Sequence, residues 1–165
     1  MGYNIHNPLD GVPFDPGQWN QNKGKGEMLM VKVIVGPKGS RKTAQLVDEL
    51  NAQAYNDSAD VVCIEHGGRL NHLVKYKIRL IDILEYPVKG YRELLAFIAG
   101  ICAEDYDLTH LYVDSITKVA HDPDLTHLEQ FLLEIDEFSA KNNLNATIIL
   151  SADLDTLPEG IRKYC

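Results

Sequence analysis

The chain has 165 residues, enough for one α/β domain burying about two-thirds of the surface that its unfolded form exposes. A formal charge of −8 excludes general binding to nucleic-acid backbones, which needs a basic footprint, yet leaves room for a local cationic pocket. No apolar run reaches the ~18 residues of a membrane span, and no signal-peptide pattern is present, so the expected compartment is the cytoplasm.

Residues 1–27 are rich in Asn, Gly, Pro, Asp and Gln, and their few apolar residues show no period. They read as a mobile tail or as a strap laid on the domain, with Trp19 as its anchor. Lys23-Gly-Lys-Gly-Glu27 back-translates to a purine-rich sequence of the kind that recruits bacterial ribosomes, directly before Met28 and Met30. The native start is therefore expected at one of these methionines, with residues 1–27 not part of the native product and the domain spanning residues 28–165.

From residue 30 the pattern changes. Val31, Val33, Ile34 and Val35 form a short β-branched run that meets the turn Gly36-Pro37-Lys38-Gly39-Ser40-Arg41. Lys42-Thr43 then opens a helical pattern with Leu46, Val47 and Leu50 on one face. Strand, glycine turn and helix together suit a polyphosphate. Glycines let successive N–H groups point into one concavity, and the helix N-terminus adds partial positive charge there. Lys42 would reach the terminal phosphates as a point charge, and the Thr43 hydroxyl would ligate Mg²⁺.

Asn51–Asp60 is a polar turn region, and Val61-Val-Cys-Ile-Glu65 reads as a buried strand closed by His66-Gly67-Gly68. Leu70, Leu73 and Val74 recur at helical spacing, which predicts a short helix over 69–76. Residues 79–84 read as a further strand, closed by Tyr86-Pro87. Tyr91, Leu94, Leu95, Ile98 and Cys102 predict a helix over 91–104 with a core-facing stripe. Leu111-Tyr-Val-Asp-Ser115 is a short strand ending in a carboxylate. Thr126-His-Leu-Glu129 has the capping-box pattern, ahead of a helix buried through Leu128, Phe131, Leu132, Ile135 and Phe138. Asn145–Ser151 is the last strand, and Leu157-Pro158 starts a short terminal helix. The three cysteines (Cys63, Cys102, Cys165) are widely spaced and offer neither a disulfide framework nor a zinc ribbon; Cys63 and Cys102 read as small core residues. The expected fold class is α/β, a three-layer sandwich with a mostly parallel sheet of about five strands.

Gly36-Pro-Lys-Gly-Ser-Arg-Lys42-Thr43 resembles the Walker A motif of P-loop NTPases, G-x-x-x-x-G-K-[ST], with Arg41 standing where the family has its second glycine. Leu111-Tyr112-Val113-Asp114 resembles the Walker B motif. The resemblance implies the P-loop NTPase fold of the RecA-like division, with ATP and Mg²⁺ as cofactors. It implies residues 36–43 as the nucleotide loop and Thr43 and Asp114 as the metal handles. Ser115 stands where many of that division carry a glutamate that orients the attacking water. Glu65, ending the neighbouring strand, is the candidate substitute, and Ser151 or Asp153 the candidate γ-phosphate sensor. Arg69, Arg79 and Arg162 are candidate charge-stabilising arginines.

Over residues 31–165 the chain also resembles a family of small bacterial ATP-binding proteins, some labelled as twitching-motility-type ATPases. The matching pieces are VIVGPKGS-x-KT, VVCIEHG, YKIRLIDILEY, GYRELLAFIAG, LYVDSI and ILSADLDTLPEGIRKY. Gly36-Pro37 with Lys42-Thr43 is similar to the thymidine-kinase loop too, though that family's zinc-ribbon cysteine pairs and nucleoside-binding segment are missing. The leading expectation is an ATP-binding protein with slow or partner-triggered ATPase activity. The alternatives are a nucleoside or small-molecule kinase, and a non-catalytic interaction protein whose loop Arg41 blocks.

Overall fold

In the computed structural model the described residues are 30–165. The expectations for the tail, for Trp19 and for a start at Met28 fall on residues outside that range. Five strands build the sheet: β1 (Val31–Gly36), β2 (Val61–Glu65), β3 (Arg79–Asp82), β4 (His110–Asp114) and β5 (Asn145–Ser151). All pairings are parallel, in the order β1-β5-β4-β2-β3. The helices are α1 (Lys42–Gln53), α2 (Tyr91–Glu104), α3 (Ile116–Val119), α4 (Leu125–Asn142) and α5 (Glu159–Arg162).

A parallel sheet covered on both faces needs strands that are apolar on both sides, and β2 is buried at all five positions. Ile34, Val61, Cys63, Tyr112 and Ile149 meet Leu46 and Leu50 of α1 on one face. Val33, Val62, Ile64, Val113 and Ile148 meet α2, α4 and α5 on the other, through Leu94, Ile98, Phe131, Leu132 and Ile161. The result is three layers, as the alternation of strand and helix patterns predicts. Cys63 is fully buried, whereas Cys102 is only partly so, and among the described residues Cys63, Cys102 and Cys165 form no disulfide. No helix among the described residues is long and apolar enough to cross a membrane.

Three local readings change. Residues 69–76 are a turn rather than a helix, with Val74 N–H and Leu73 N–H both donating to Leu70 O and Leu73 left exposed. Residues 79–84 are strand only to Asp82, whose carboxylate accepts from Leu84 N–H and turns Ile83–Glu85 into one 3₁₀ turn. The capping box is not formed. Asp124 caps α4 by accepting from Thr126 N–H and His127 N–H, which places Thr126 inside the first turn. An aspartate here also puts its negative charge at the positive end of the helix.

Candidate functional site

Because every strand runs the same way, all five carboxyl ends lie on one side of the sheet. There β1 leaves toward α1 on one face, while β5 leaves toward α5 on the other. The two exits leave a crevice over β1, β5 and β4, the place where open parallel sheets bind ligands. A cleft of about 500 Å³ fills that crevice. Lys38, Gly39, Arg41, Lys42 and Thr43 of the β1–α1 junction line it, with Ile149 and Ser151 of β5, Asp114 at the end of β4, and Ser115, Lys118 and Arg69.

The loop from Gly36 to Thr43 is shaped by its backbone. Gly39 has φ 81° and Arg41 has φ 63°, both in the left-handed region. A Cβ on Gly36 would meet Ser40 Oγ at 2.5 Å, so this position admits glycine alone without a shift of Ser40. Arg41 therefore keeps the backbone conformation that a glycine adopts freely, at a cost of about 1–2 kcal/mol for an L-residue. Its side chain is exposed and lines the cleft instead of filling the loop.

Lys42, only 8% exposed, turns its ammonium back onto the loop, donating to Pro37 O at 2.7 Å and to Ser40 Oγ at 3.3 Å. The next residue reaches the other way: Thr43 Oγ1 donates to Asp114 Oδ2 at 3.0 Å. That bond joins the start of α1 to the end of β4, which are 71 residues apart in the chain. Asp114 is buried and ends β4, so the sheet fixes its carboxylate. Among the described residues none caps the N-terminus of α1 with a side chain, and its first turn holds no acidic residue. Its first N–H groups are thus left for a ligand, in contrast to those of α4, which Asp124 occupies.

Among the described residues five cations (Lys38, Arg41, Lys42, Arg69, Lys118) and one carboxylate (Asp114) line the cleft, so it attracts anions although the chain carries a net charge of −8. Among the described residues no cluster of three or more His, Cys, Asp or Glu side chains could hold a metal ion. Thr43 and Asp114 supply two hard oxygen donors, which fit Mg²⁺ shared with phosphate oxygens and water; such an ion is usually held by one or two carboxylates plus the substrate.

The remaining sequence candidates divide. Ser151 pairs in register with Gly36, stands beside the loop and lines the cleft. Asp153 does not; its carboxylate accepts from Asp155 N–H and caps the following 3₁₀ turn. Arg69 reaches the cleft. Arg79 does not, because it begins β3 at the opposite end of the sheet and pairs with Glu104 at 3.6 Å. Arg162 is likewise committed elsewhere, donating to Leu157 O at 2.8 Å.

Glu65 is the register partner of Asp114, but it is 2% exposed and does not line the cleft. Its Oε2 accepts from Leu70 N–H at 2.9 Å, while Oε1 is buried and has no partner among the described residues. Burial pushes the Glu65 carboxyl above its ordinary range; the Leu70 N–H opposes this, and the charge of Asp82 adds to it. Lys118 was not legible from periodicity, because α3 is a single turn. Its place four residues past a strand-end aspartate was the available signal. No family model and no curated protein matches the sequence.

Proposed function

We propose that the chain is a nucleotide-binding protein with the P-loop NTPase fold, one that takes ATP with Mg²⁺ and hydrolyses it slowly or when a protein partner engages it. The observation that carries this reading is the 3.0 Å bond between Thr43 and Asp114, directly beside a lysine folded onto a glycine loop. An ordinary βα turn has no reason to bring a strand-end aspartate from across the sheet to the second residue of its helix. A nucleotide–magnesium site needs that juxtaposition, since hydroxyl and carboxylate must approach one ion.

On this reading the N–H groups of residues 39–43 cradle the phosphates, and Lys42 exchanges Pro37 O for a phosphate oxygen. Thr43 and Asp114 would hold Mg²⁺, which when bound neutralises charge on the phosphates. Lys38 and Arg41, on the exposed rim, draw the anion in. Slow turnover follows from what surrounds Asp114. Ser115 offers no carboxylate to orient water, and that of Glu65, the register partner of Asp114, is committed to Leu70.

Thermal unfolding with and without Mg-ATP tests the reading. A ligand at 100 times its dissociation constant stabilises the native state by about 2.7 kcal/mol, a clear rise in the melting temperature. The rise is expected for wild type and absent for Lys42→Ala. No rise with ATP or GTP, or an equal rise in Lys42→Ala, overturns the reading. Product analysis should give ADP and inorganic phosphate; a phosphorylated nucleoside would make the protein a kinase.

A further inference from the structure

The buried carboxylate of Glu65 demands an account, because a carboxylate removed from water is costly unless it holds something in place. What it holds is the start of the 67–74 turn. Oε2 accepts from Leu70 N–H, and both the backbone N–H and the guanidinium of Arg69 favour the charged carboxylate. The turn is pinned at further points. Leu70 is 2% exposed and packs among the residues under α1. Asn51 of α1 donates to Leu73 O and accepts from Lys75 N–H, both at 3.0 Å. Gly67 N–H donates to Asp82 Oδ1 at 2.9 Å.

Arg69 directly precedes Leu70 in the chain, so its backbone is held by the bond to Glu65 while its exposed side chain lines the cleft. Its position within the cleft follows from register. Glu65 lies beside Asp114 on the side of β4 away from β1, so the segment that follows it stands beyond Asp114 as seen from the loop. Were a nucleotide held by the loop with its magnesium on Thr43 and Asp114, its terminal phosphate would be the one nearest this segment.

We infer that Glu65 is a positioning residue that holds Arg69 in place, and that Arg69 is the cation meeting the terminal phosphate of a nucleotide bound in the Gly36–Thr43 loop. This rests on the nucleotide-binding reading and replaces the expectation that Glu65 orients water. Arg69 makes the cleft prefer a triphosphate over a diphosphate, and Glu65 acts only through it.

The test is calorimetric titration of the full chain with Mg-ADP and with a magnesium complex of a non-hydrolysable ATP analogue. Wild type should bind both, the triphosphate more tightly. Arg69→Ala should lose about tenfold in triphosphate affinity, the scale of one charge-assisted contact, and keep its ADP affinity. Being exposed, Arg69 can be truncated without unfolding the chain. Glu65→Ala should copy Arg69→Ala, whereas Glu65→Gln, which keeps an oxygen for Leu70 N–H, should keep the triphosphate preference. An unchanged triphosphate-to-diphosphate ratio in Arg69→Ala overturns the inference while leaving the nucleotide site standing. Equal loss of hydrolysis in Glu65→Gln and Glu65→Ala, with affinities intact, returns Glu65 to the role of water-orienting base. If neither nucleotide binds wild type, the site reading and this inference fall together.

Discussion

The two ends of the sheet carry clefts of opposite character. At the carboxyl ends about 500 Å³ is lined by five cations and one carboxylate. At the amino ends a larger cleft of about 710 Å³ is lined by Asp57, Asp60 and Asp107, with Lys77 already bridged to Asp57 at 3.4 Å. Burial and the neighbouring Asp105 hold the Asp60 carboxyl above its ordinary range. The larger hollow is thus the less suited to an anion, so size does not choose the site. Parallel strands do choose it: they deliver helix N-termini and their free N–H groups to one end, and helix C-termini with their carbonyls to the other.

That contrast can be broken by charge removal. Lys42→Ala should weaken Mg-ATP binding by about 100-fold or more, equivalent to about 2.7 kcal/mol, because on the proposed reading the ammonium would meet phosphate directly. Lys77→Ala, at the opposite end, should leave affinity within about twofold, as expected for an exposed pair. Calorimetry on both variants, with circular dichroism to confirm folding, makes the comparison. Equal losses would mean that the nucleotide does not distinguish the two ends.

The next effect isolates the metal. Asp114→Asn should abolish the gain in ATP affinity that Mg²⁺ brings, about tenfold, while leaving binding in EDTA close to wild type. A magnesium gain that survives the substitution would remove Asp114 from the site.

Arg41→Gly sharpens the comparison from the side of stability. Relief of the left-handed strain, offset by the added freedom of glycine in the unfolded chain, should stabilise the fold by about 0.5–1 kcal/mol. Urea unfolding measures this, and Mg-ATP binding should persist. A destabilised Arg41→Gly variant would show that the guanidinium supports the loop.

The smallest effect lies at the capped helix. His127 Nδ1 lies 2.7 Å from Asp122 Oδ2. The hydrogen bond that His127 Nδ1–H donates to Asp122, then the charge of Asp124, raises the His127 pKa above 6.5; the bond that Asp122 accepts from Asp124 N–H, then the one from His127, lowers the Asp122 pKa below 3.8. The His127 contribution is complete below 6.5 and fades as pH rises through the raised folded value. The Asp122 contribution is complete above 3.8 and fades as pH falls through its lowered value. The pair is therefore strongest between these two values. Wild type should show a slight fall in melting temperature above that window, and His127→Gln should lack it.

What could be read from the chain, and what could not, follows the same physics. The strand, loop and helix around Lys42 were legible because each signal is local: β-branched run, two glycines, then an apolar helix face. Asp114 was legible because it ends an apolar run, and the five parallel strands because strand and helix patterns alternate. The 66–78 segment was not, since Leu70, Leu73 and Val74 mimic a helical period. Its conformation is set from a distance by Glu65, Asn51 and Asp82, with Gly67 and Gly68 at positive φ. Arg79 and Arg162 could not be told from Arg69 by sequence, because the end of the sheet on which each lies is a property of topology. At α4 the capping-box pattern pointed to Thr126, whereas the carboxylate of Asp124, two residues earlier, caps the helix.

The most direct test is a crystal structure of the protein grown with magnesium and a non-hydrolysable ATP analogue. The account predicts the phosphates inside the Gly36–Thr43 loop, Lys42 Nζ moved from Pro37 O to a phosphate oxygen, and the ion between Thr43 and Asp114. A saturated crystal in which the loop is empty, with Lys42 still on Pro37 O and Thr43 still on Asp114, would contradict it.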